Sequence, residues 1–263
     1  MGTYVGGRRR GTTLERRGRW ARAYVPGAIA HQSFSLCRAT TQALEEAALA
    51  ISAFDRAVAA MPGGTAFAHR LLCAEALAVI AAAGGLETPF TVDALTGMHA
   101  RLFEGSADAD YGGRLRRQSR RCAGNGALGG FVPPPGKHVG PLLEDLCRFA
   151  TRTDLPPALQ AAIGYAQFRT IRPFLDGNAR MARALVHAIL RRRGLATHAV
   201  VPVSVVFGAD AHACESALDD YRFEGAYETG SNAARVNDWI ATFAGAARAA
   251  VQRAGTLAVG AGQ

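Results

Sequence analysis

From Leu44 onward, apolar residues recur three and four positions apart in one segment after another, each closed by proline or glycine. That period belongs to a helix with one buried face, and the two-residue alternation of a half-buried strand is scarce. Such a chain must build its core from helices packed on helices. The first segment carries Leu44, Ala48, Ile51 and Val58, opens at Thr40/Thr41 with Glu45 and Glu46 near its start, and ends at Pro62-Gly63-Gly64. A second opens at Thr65, carries Leu71, Leu72, Leu77 and Ile80, and stops at Gly84-Gly85. A third opens at Thr91, with Asp93 in its first turn and Leu95, Met98 and Leu102 on its apolar face.

Residues 104–136 break the pattern. They are rich in glycine and arginine and end in Pro133-Pro134-Pro135, so a long functional loop with one hairpin is expected there. Helical spacing returns over about 138–151 and 154–171, the latter with proline near its first turn, where a missing N–H costs nothing. Pro173 ends it. Phe174 to Asn178 turns the chain into a strongly amphipathic helix that runs to Arg193 and stops at Gly194. A β-like run at Val200–Val206 precedes two more helical stretches, about 210–222 and 231–253. The fold class is all-α.

Composition bounds the rest. A chain of 263 residues and 27.6 kDa has room for one large domain or two small ones. With 49% hydrophobic and 19% charged residues, it is not a wholly disordered chain. The most apolar uncharged stretch, Ala76–Leu86, is too short to cross a bilayer, and no apolar segment follows the N-terminal arginines as a secretory leader would. Five cysteines without CxxC or CxxxC spacing suit a cytoplasmic protein. Residues 1–22 hold seven arginines and one glutamate, so most of the net charge of +9 sits there. Arg8–Arg10 and Arg16–Arg19 read as a solvated, mobile tail over 1–19, because no aromatic residue interleaves with them before Trp20. Neither nucleic acid nor membrane is an expected partner.

Three places can carry chemistry. Gly124-Asn125-Gly126-Ala127-Leu128-Gly129 matches the GxGxxG of dinucleotide binding, but Arg120-Arg121-Cys122 and Phe131-Val132-Pro133 flank it where a strand and a helix are needed. An ordinary loop is the better account. The seven histidines contain no HExxH or His-x3-His pair, which argues against zinc, and His99 and His187 sit within helical runs as core or surface residues do. The third place is Ile171 to Arg183, where a short loop feeds a helix N-terminus whose unpaired N–H groups and dipole attract anions. Gly177 permits the tight backbone, and Asn178 can cap the helix. Arg180 and Arg183 lie three apart on one face, and Asp176 offers a carboxylate where Mg²⁺ bridging two phosphates can sit. Arg169, one turn before Arg172, adds another cation.

This turn resembles the signature of the Fic family, H-x-F-x-[D/E]-G-N-G-R-x-x-R: Phe174, Asp176, Gly177, Asn178, Arg180 and Arg183 stand where the motif has them. The resemblance covers about residues 20–250. Trp20–Pro26 is similar to the start of the region that precedes many Fic domains. Gly113–Arg116 is similar to the stretch leading into the target-docking flap, and Gly130, Phe131 and Val132, with the prolines after them, to the flap's far side. The resemblance implies a Fic-like helical fold with a short β-hairpin flap, divided into an N-terminal helical region (20–90), a core (91–195) and a C-terminal helical region (196–263). For most members it also implies transfer of AMP from ATP to a protein hydroxyl. The motif histidine is then the general base, its acid holds Mg²⁺, and the Gly-Asn-Gly nest binds the phosphates.

The chain departs from that pattern at three points. Arg172 occupies the base position, and a guanidinium is protonated at neutral pH with no lone pair to accept a proton. Losing a positioned base removes about 10²–10⁴-fold of rate. Ala179 replaces the second nest glycine, a strain of about 1 kcal/mol if that position needs positive φ. Many members also carry an inhibitory helix, [S/T]-x-x-x-E-[G/N]; the corresponding stretch, Ala78–Gly84, holds neither serine nor glutamate. Base and brake absent together point to changed function.

Three readings stay open. One is a repurposed enzyme acting on a small anionic or phosphate-bearing molecule, with Arg172 as an electrostatic or orienting group. Another is a non-catalytic pseudoenzyme that holds a nucleotide, a metabolite or a protein partner. The third is residual nucleotidyl or phosphoryl transfer, with His138 as stand-in base; it alone needs Mg²⁺ with a nucleotide, and the others require no cofactor. Common to all is the expectation that Arg169, Arg172, Arg180 and Arg183 converge as uncompensated cations on one helix N-terminus.

Overall fold

Pro157–Ile171 is apolar or small on nearly every side, and a helix hydrophobic all round belongs at the centre of a fold. The computed structural model places it there, buried from Ala158 to Ile171 except at Arg169. The structure describes residues 3–5, 23–77, 81, 84, 89–117, 131–223, 227 and 229–260. Among them run nine α-helices: α1 (Arg38–Ala60), α2 (Gly64–Ala74), α3 (Val92–Phe103), α4 (Val139–Ala150), α5 (Pro157–Ile171), α6 (Asn178–Arg192), α7 (Val203–Ala209), α8 (Ala211–Tyr221) and α9 (Gly230–Gly260). The central helix is α5. Helix α6 packs closely against it, and Gly164 allows the approach, since a Cβ there would lie 3.1 Å from Ile189 Cδ1. The long α9 lies along α1 and reaches α5, where the buried Trp239 indole N–H donates to the Ala162 carbonyl at 2.8 Å. Tyr165, Phe207, Trp239 and Phe243 form one aromatic cluster at that junction.

Several boundaries differ from the sequence reading, each for a local reason. Helix α1 starts at Arg38, because the Thr40 and Thr41 hydroxyls donate to the Asn237 and Cys37 carbonyls instead of capping. Helix α2 starts at Gly64 rather than Thr65: Gly63 takes φ 75 at the cap, and a Cβ on Gly64 would come within 2.0 Å of the Val58 carbonyl oxygen. It ends at Ala74, ten residues before Gly84, in a Schellman closure with Ala76 at φ 57. There Leu77 N–H donates to Leu72 (2.8 Å) and Ala76 N–H to Cys73 (2.9 Å). The β-like run at Val200–Val206 is helical from Val203, because the fully buried Val203 docks on the core and packing overrides propensity. Thr91 caps α3 as expected, its hydroxyl accepting from Ala94 N–H at 3.1 Å.

The one two-stranded sheet among the described residues is antiparallel, Thr3–Val5 (β1) with Ala23–Val25 (β2). Thr3–Val5 was expected to be mobile tail; Tyr4 and Val5 are good strand formers and find Tyr24 and Ala23 opposite. The rest of the basic tail, the GxGxxG stretch, Cys122 and most of Ala78–Gly84 lie outside the described residues, as does the middle of the expected 104–136 hairpin. Among the described residues, no helix is long and apolar enough to cross a membrane.

Candidate functional site

Helix α5 ends on Arg172, which adopts a left-handed conformation (φ 44, ψ 65), and Pro173 cannot continue the helix. The last carbonyls of a helix need outside donors. Here the buried Arg116 supplies them: Nε donates to the Arg172 carbonyl at 2.6 Å and Nη2 to that of Ile171 at 2.8 Å. Leu115 and Phe174 form an antiparallel bridge, and Arg116 N–H donates to the Pro173 carbonyl at 2.9 Å. The Leu115–Arg116 segment is thus laid beside the motif turn.

The turn itself is held from within. Asn178 is the first residue of α6 and does not cap it; its side chain accepts from Phe174 N–H (3.0 Å) and donates to the Phe174 carbonyl (2.8 Å). The cap position is Gly177 at φ 71, where a Cβ would press to 3.1 Å on both His99 and Phe103. Glycine is required there and not at Ala179, which is helical and unstrained. His99, fully buried on α3, stacks on Phe174 with ring centroids 3.6 Å apart. Gly113 N–H donates to its Nδ1 at 2.9 Å, so the proton is on Nε2, which donates to the Asp176 carbonyl at 3.0 Å. Burial lowers the His99 pKa, which keeps the ring neutral and this tautomer in place.

The expected gathering of uncompensated cations does not occur. Arg169 bonds to the Tyr165 hydroxyl and pairs with Glu215 on α8. Arg180 lies over the Phe103 ring, 5.3 Å from its centroid. Arg183 turns to Glu75, the residue that closes α2: its Nε is 2.7 Å from the carboxylate, and its Nη2 donates to the Glu75 carbonyl at 2.9 Å. The Nε–H does not point along the 2.7 Å contact, so the attraction there is charge on charge rather than a formed hydrogen bond. Glu75 is fully buried, and burial raises its pKa although Ser204 N–H and Arg183 favour the anion. A carboxylate therefore sits on the motif's last arginine, supplied from outside Ala78–Gly84. It lies just ahead of that stretch, followed by the positive-φ Ala76 where the family signature has Gly or Asn.

Arg172 and Asp176 form no ion pair among the described residues, with each other or with any other group. Arg172 is half-buried, and its Nε has no hydrogen-bond partner. Asp176 is exposed at the mouth of the turn. The N–H groups of Asn178, Ala179 and Arg180 have no partner among the described residues, as the first turn of a helix leaves them. One free carboxylate beside such donors suits Mg²⁺, which is held by one or two carboxylates with phosphate oxygens and water. No cluster of three metal-ligating side chains exists among the described residues. Beyond Arg183 a cleft of about 200 Å³ opens between Tyr165, Arg169, Ser204, Phe207 and Glu215.

The remaining candidates are placed elsewhere. Phe131 is buried against Tyr24, with the Arg222 guanidinium 3.6 Å from its ring centroid, and Val132 pairs with Ala23 of β2. Those two residues are occupied by the N-terminal strand; Gly130 lies outside the described residues. His138 closes the 3-10 turn Gly136–His138 ahead of α4, with no hydrogen bond to the motif turn among the described residues. Sequence reasoning considered Glu75 only as a partner for Arg172 and gave no role to the Arg116 side chain or to Glu215. Only Glu75 carried a signal, a glutamate one residue before a helix-breaking position.

Residues 89–190 match the Fic/DOC family. Over 107 residues the chain is 31% identical to protein adenylyltransferase Fic of Drosophila willistoni and 30% identical to protein adenylyltransferase fic-1 of Caenorhabditis elegans. Each match covers 40% of this chain and 20% of the relative, so the chain spans about one fifth of the length of these curated relatives. Among solved structures, a Fic family protein from Desulfovibrio desulfuricans G20 superposes with a TM-score of 0.64, over 85% of this chain and 76% of that one, at 20% identity. That likeness is one of fold.

Proposed function

We propose that this chain, whose residues 89–190 match the Fic/DOC family, binds at its 172–183 turn the phosphates of a nucleotide or a similar phosphate-bearing small molecule without passing AMP to a protein hydroxyl in the usual manner of that family. The observation that carries this reading is Arg172. It stands where the family signature has a proton acceptor, cannot accept a proton, and leaves its Nε buried and unpartnered. An incoming phosphate oxygen would accept from Asn178, Ala179 and Arg180 N–H, and Arg172 would orient or neutralise its charge. Mg²⁺, when bound, would supply further charge neutralisation from Asp176.

Glu75 opposes ligand entry. Arg183 can turn to a phosphate only by leaving that carboxylate, so ligand and Glu75 compete for one guanidinium. Calorimetric titration with ATP, ADP and AMP in Mg²⁺ tests the reading on wild type and Glu75→Ala. The expected result is saturable nucleotide binding that tightens by at least about tenfold, or 1.4 kcal/mol, when Glu75 is removed. No saturable heat from either protein overturns it.

A further inference from the structure

A cavity of about 560 Å³ lies between the end of α1, helix α2, the C-terminal half of α6 and the 196–200 segment. Close-packed interiors leave few voids larger than a water molecule, whereas small-molecule sites run from about 300 to 1,000 Å³. The space exists because small residues face it, among them Ala59, Gly63, Ala68, Ala196 and Ala199. Val58, Ala199 and Val200 in its wall are buried, while Thr65, His69 and His198 are exposed at its rim. An apolar floor beneath a polar mouth is the usual build of a ligand site.

His187 belongs to the buried wall. It is 4% exposed, and its Nε2 has no hydrogen-bond partner. Burial, with Arg183 one turn away, lowers its pKa to about 3, so the ring is neutral at pH 7. The two flips of an imidazole have nearly the same shape and differ in which edge carries nitrogen, so the ring can offer a nitrogen to the cavity without repacking. No Asp or Glu lines the cavity among the described residues, and Arg191 is its one formally charged side chain there. Arg191 repels a cationic occupant. A hydroxyl, which donates or accepts, suits a neutral imidazole in either tautomer.

We infer that this cavity binds a small, uncharged, largely apolar molecule whose hydroxyl provides the partner that His187 Nε2 lacks. Leu72 in the wall precedes Glu75 by three residues, and His187 follows Arg183 by four, so the occupant would adjoin both elements that hold the ion pair. The site is separate from the phosphate-binding turn and stands whether or not a nucleotide binds there.

Fluorescence titration with 2-naphthol tests this on the full chain, with 1-naphthylmethylamine as a cation of similar size. The expected result is saturable one-to-one binding of 2-naphthol to wild type and none of the amine. Affinity should fall at least tenfold in Ala68→Phe, which fills the cavity, and in His187→Phe, which keeps the ring and removes its nitrogens. If Ala68→Phe does not fold, Thr65→Trp at the exposed rim carries the same comparison. Absent saturable binding to wild type, or unchanged affinity in the cavity-filling variant, overturns the site. Equal affinity in His187→Phe, or equal binding of the amine, overturns the ligand class.

Discussion

At the scale of single residues, the motif turn is held by contacts that reach well beyond it. Arg172 offers no proton acceptor, and its backbone is left-handed, a conformation that histidine and asparagine tolerate better than most side chains. Asn178 fixes the loop rather than the helix, and both of its partners belong to the buried Phe174. Asn178→Ala should therefore cost about 2–4 kcal/mol in urea unfolding, because it strands a buried N–H and a buried carbonyl together. Asn178→Asp, which keeps the acceptor, should cost less. The identities of the motif residues were legible in the sequence; their partners were not. His99 meets Asp176 across 77 positions, and nothing in a helical run announces so distant a contact. Glu75 could be picked out in the sequence as a neighbouring carboxylate, but that its partner is Arg183 shows only once the fold brings α2 against α6.

At the scale of elements, the 3.6-residue period located the helices and missed their ends. Periodicity reports which face is buried and says little about where capping stops the ladder. Helix α2 shows why: Leu77 continues the apolar spacing, yet the helix has already closed through Ala76 at φ 57. Alanine in that conformation carries a strain of about 1 kcal/mol that glycine lacks. Ala76→Gly should raise stability by about 0.5–1 kcal/mol in chemical denaturation while leaving Glu75 in place; a loss of stability would mean the closure is drawn wrongly. The valines after Pro202 misled in the opposite sense, since their strand preference yields to docking of Val203 on the core. Arg116 ties two segments, ending α5 with its side chain while its backbone N–H pairs the 115–116 segment to the turn. Arg116→Met should lower stability by about 2–4 kcal/mol through the carbonyls it uncovers.

At the scale of the whole molecule, the all-α class followed directly from the pattern, whereas the central place of α5 and the balance of buried charge needed the three-dimensional arrangement. Two buried histidines are held neutral, His99 below its ordinary value and His187 at about 3. Their unfolded counterparts take up protons near pH 6.5, so folding stability is complete above that pH and falls as pH drops from 6.5 toward the folded values. Glu75 works in reverse: its raised pKa gives a contribution present below the unfolded value near 4.5 and lost as pH rises through the folded one. Replacing His187 with phenylalanine should therefore flatten the stability profile between pH 6 and 5, by up to about 1.4 kcal/mol per pH unit, and an unchanged slope would place a proton on the native ring. The central claim is that the fold and the phosphate site persist while the base is gone. Its most direct test is incorporation of label from α-³²P ATP in Mg²⁺, into the chain itself and into added protein, by wild type, Glu75→Ala and Glu75→Ala/Arg172→His. The account predicts background incorporation by both proteins that keep Arg172, and a rise of about 10²-fold or more once histidine returns; robust Mg²⁺-dependent AMP transfer by a chain with Arg172 intact would contradict it.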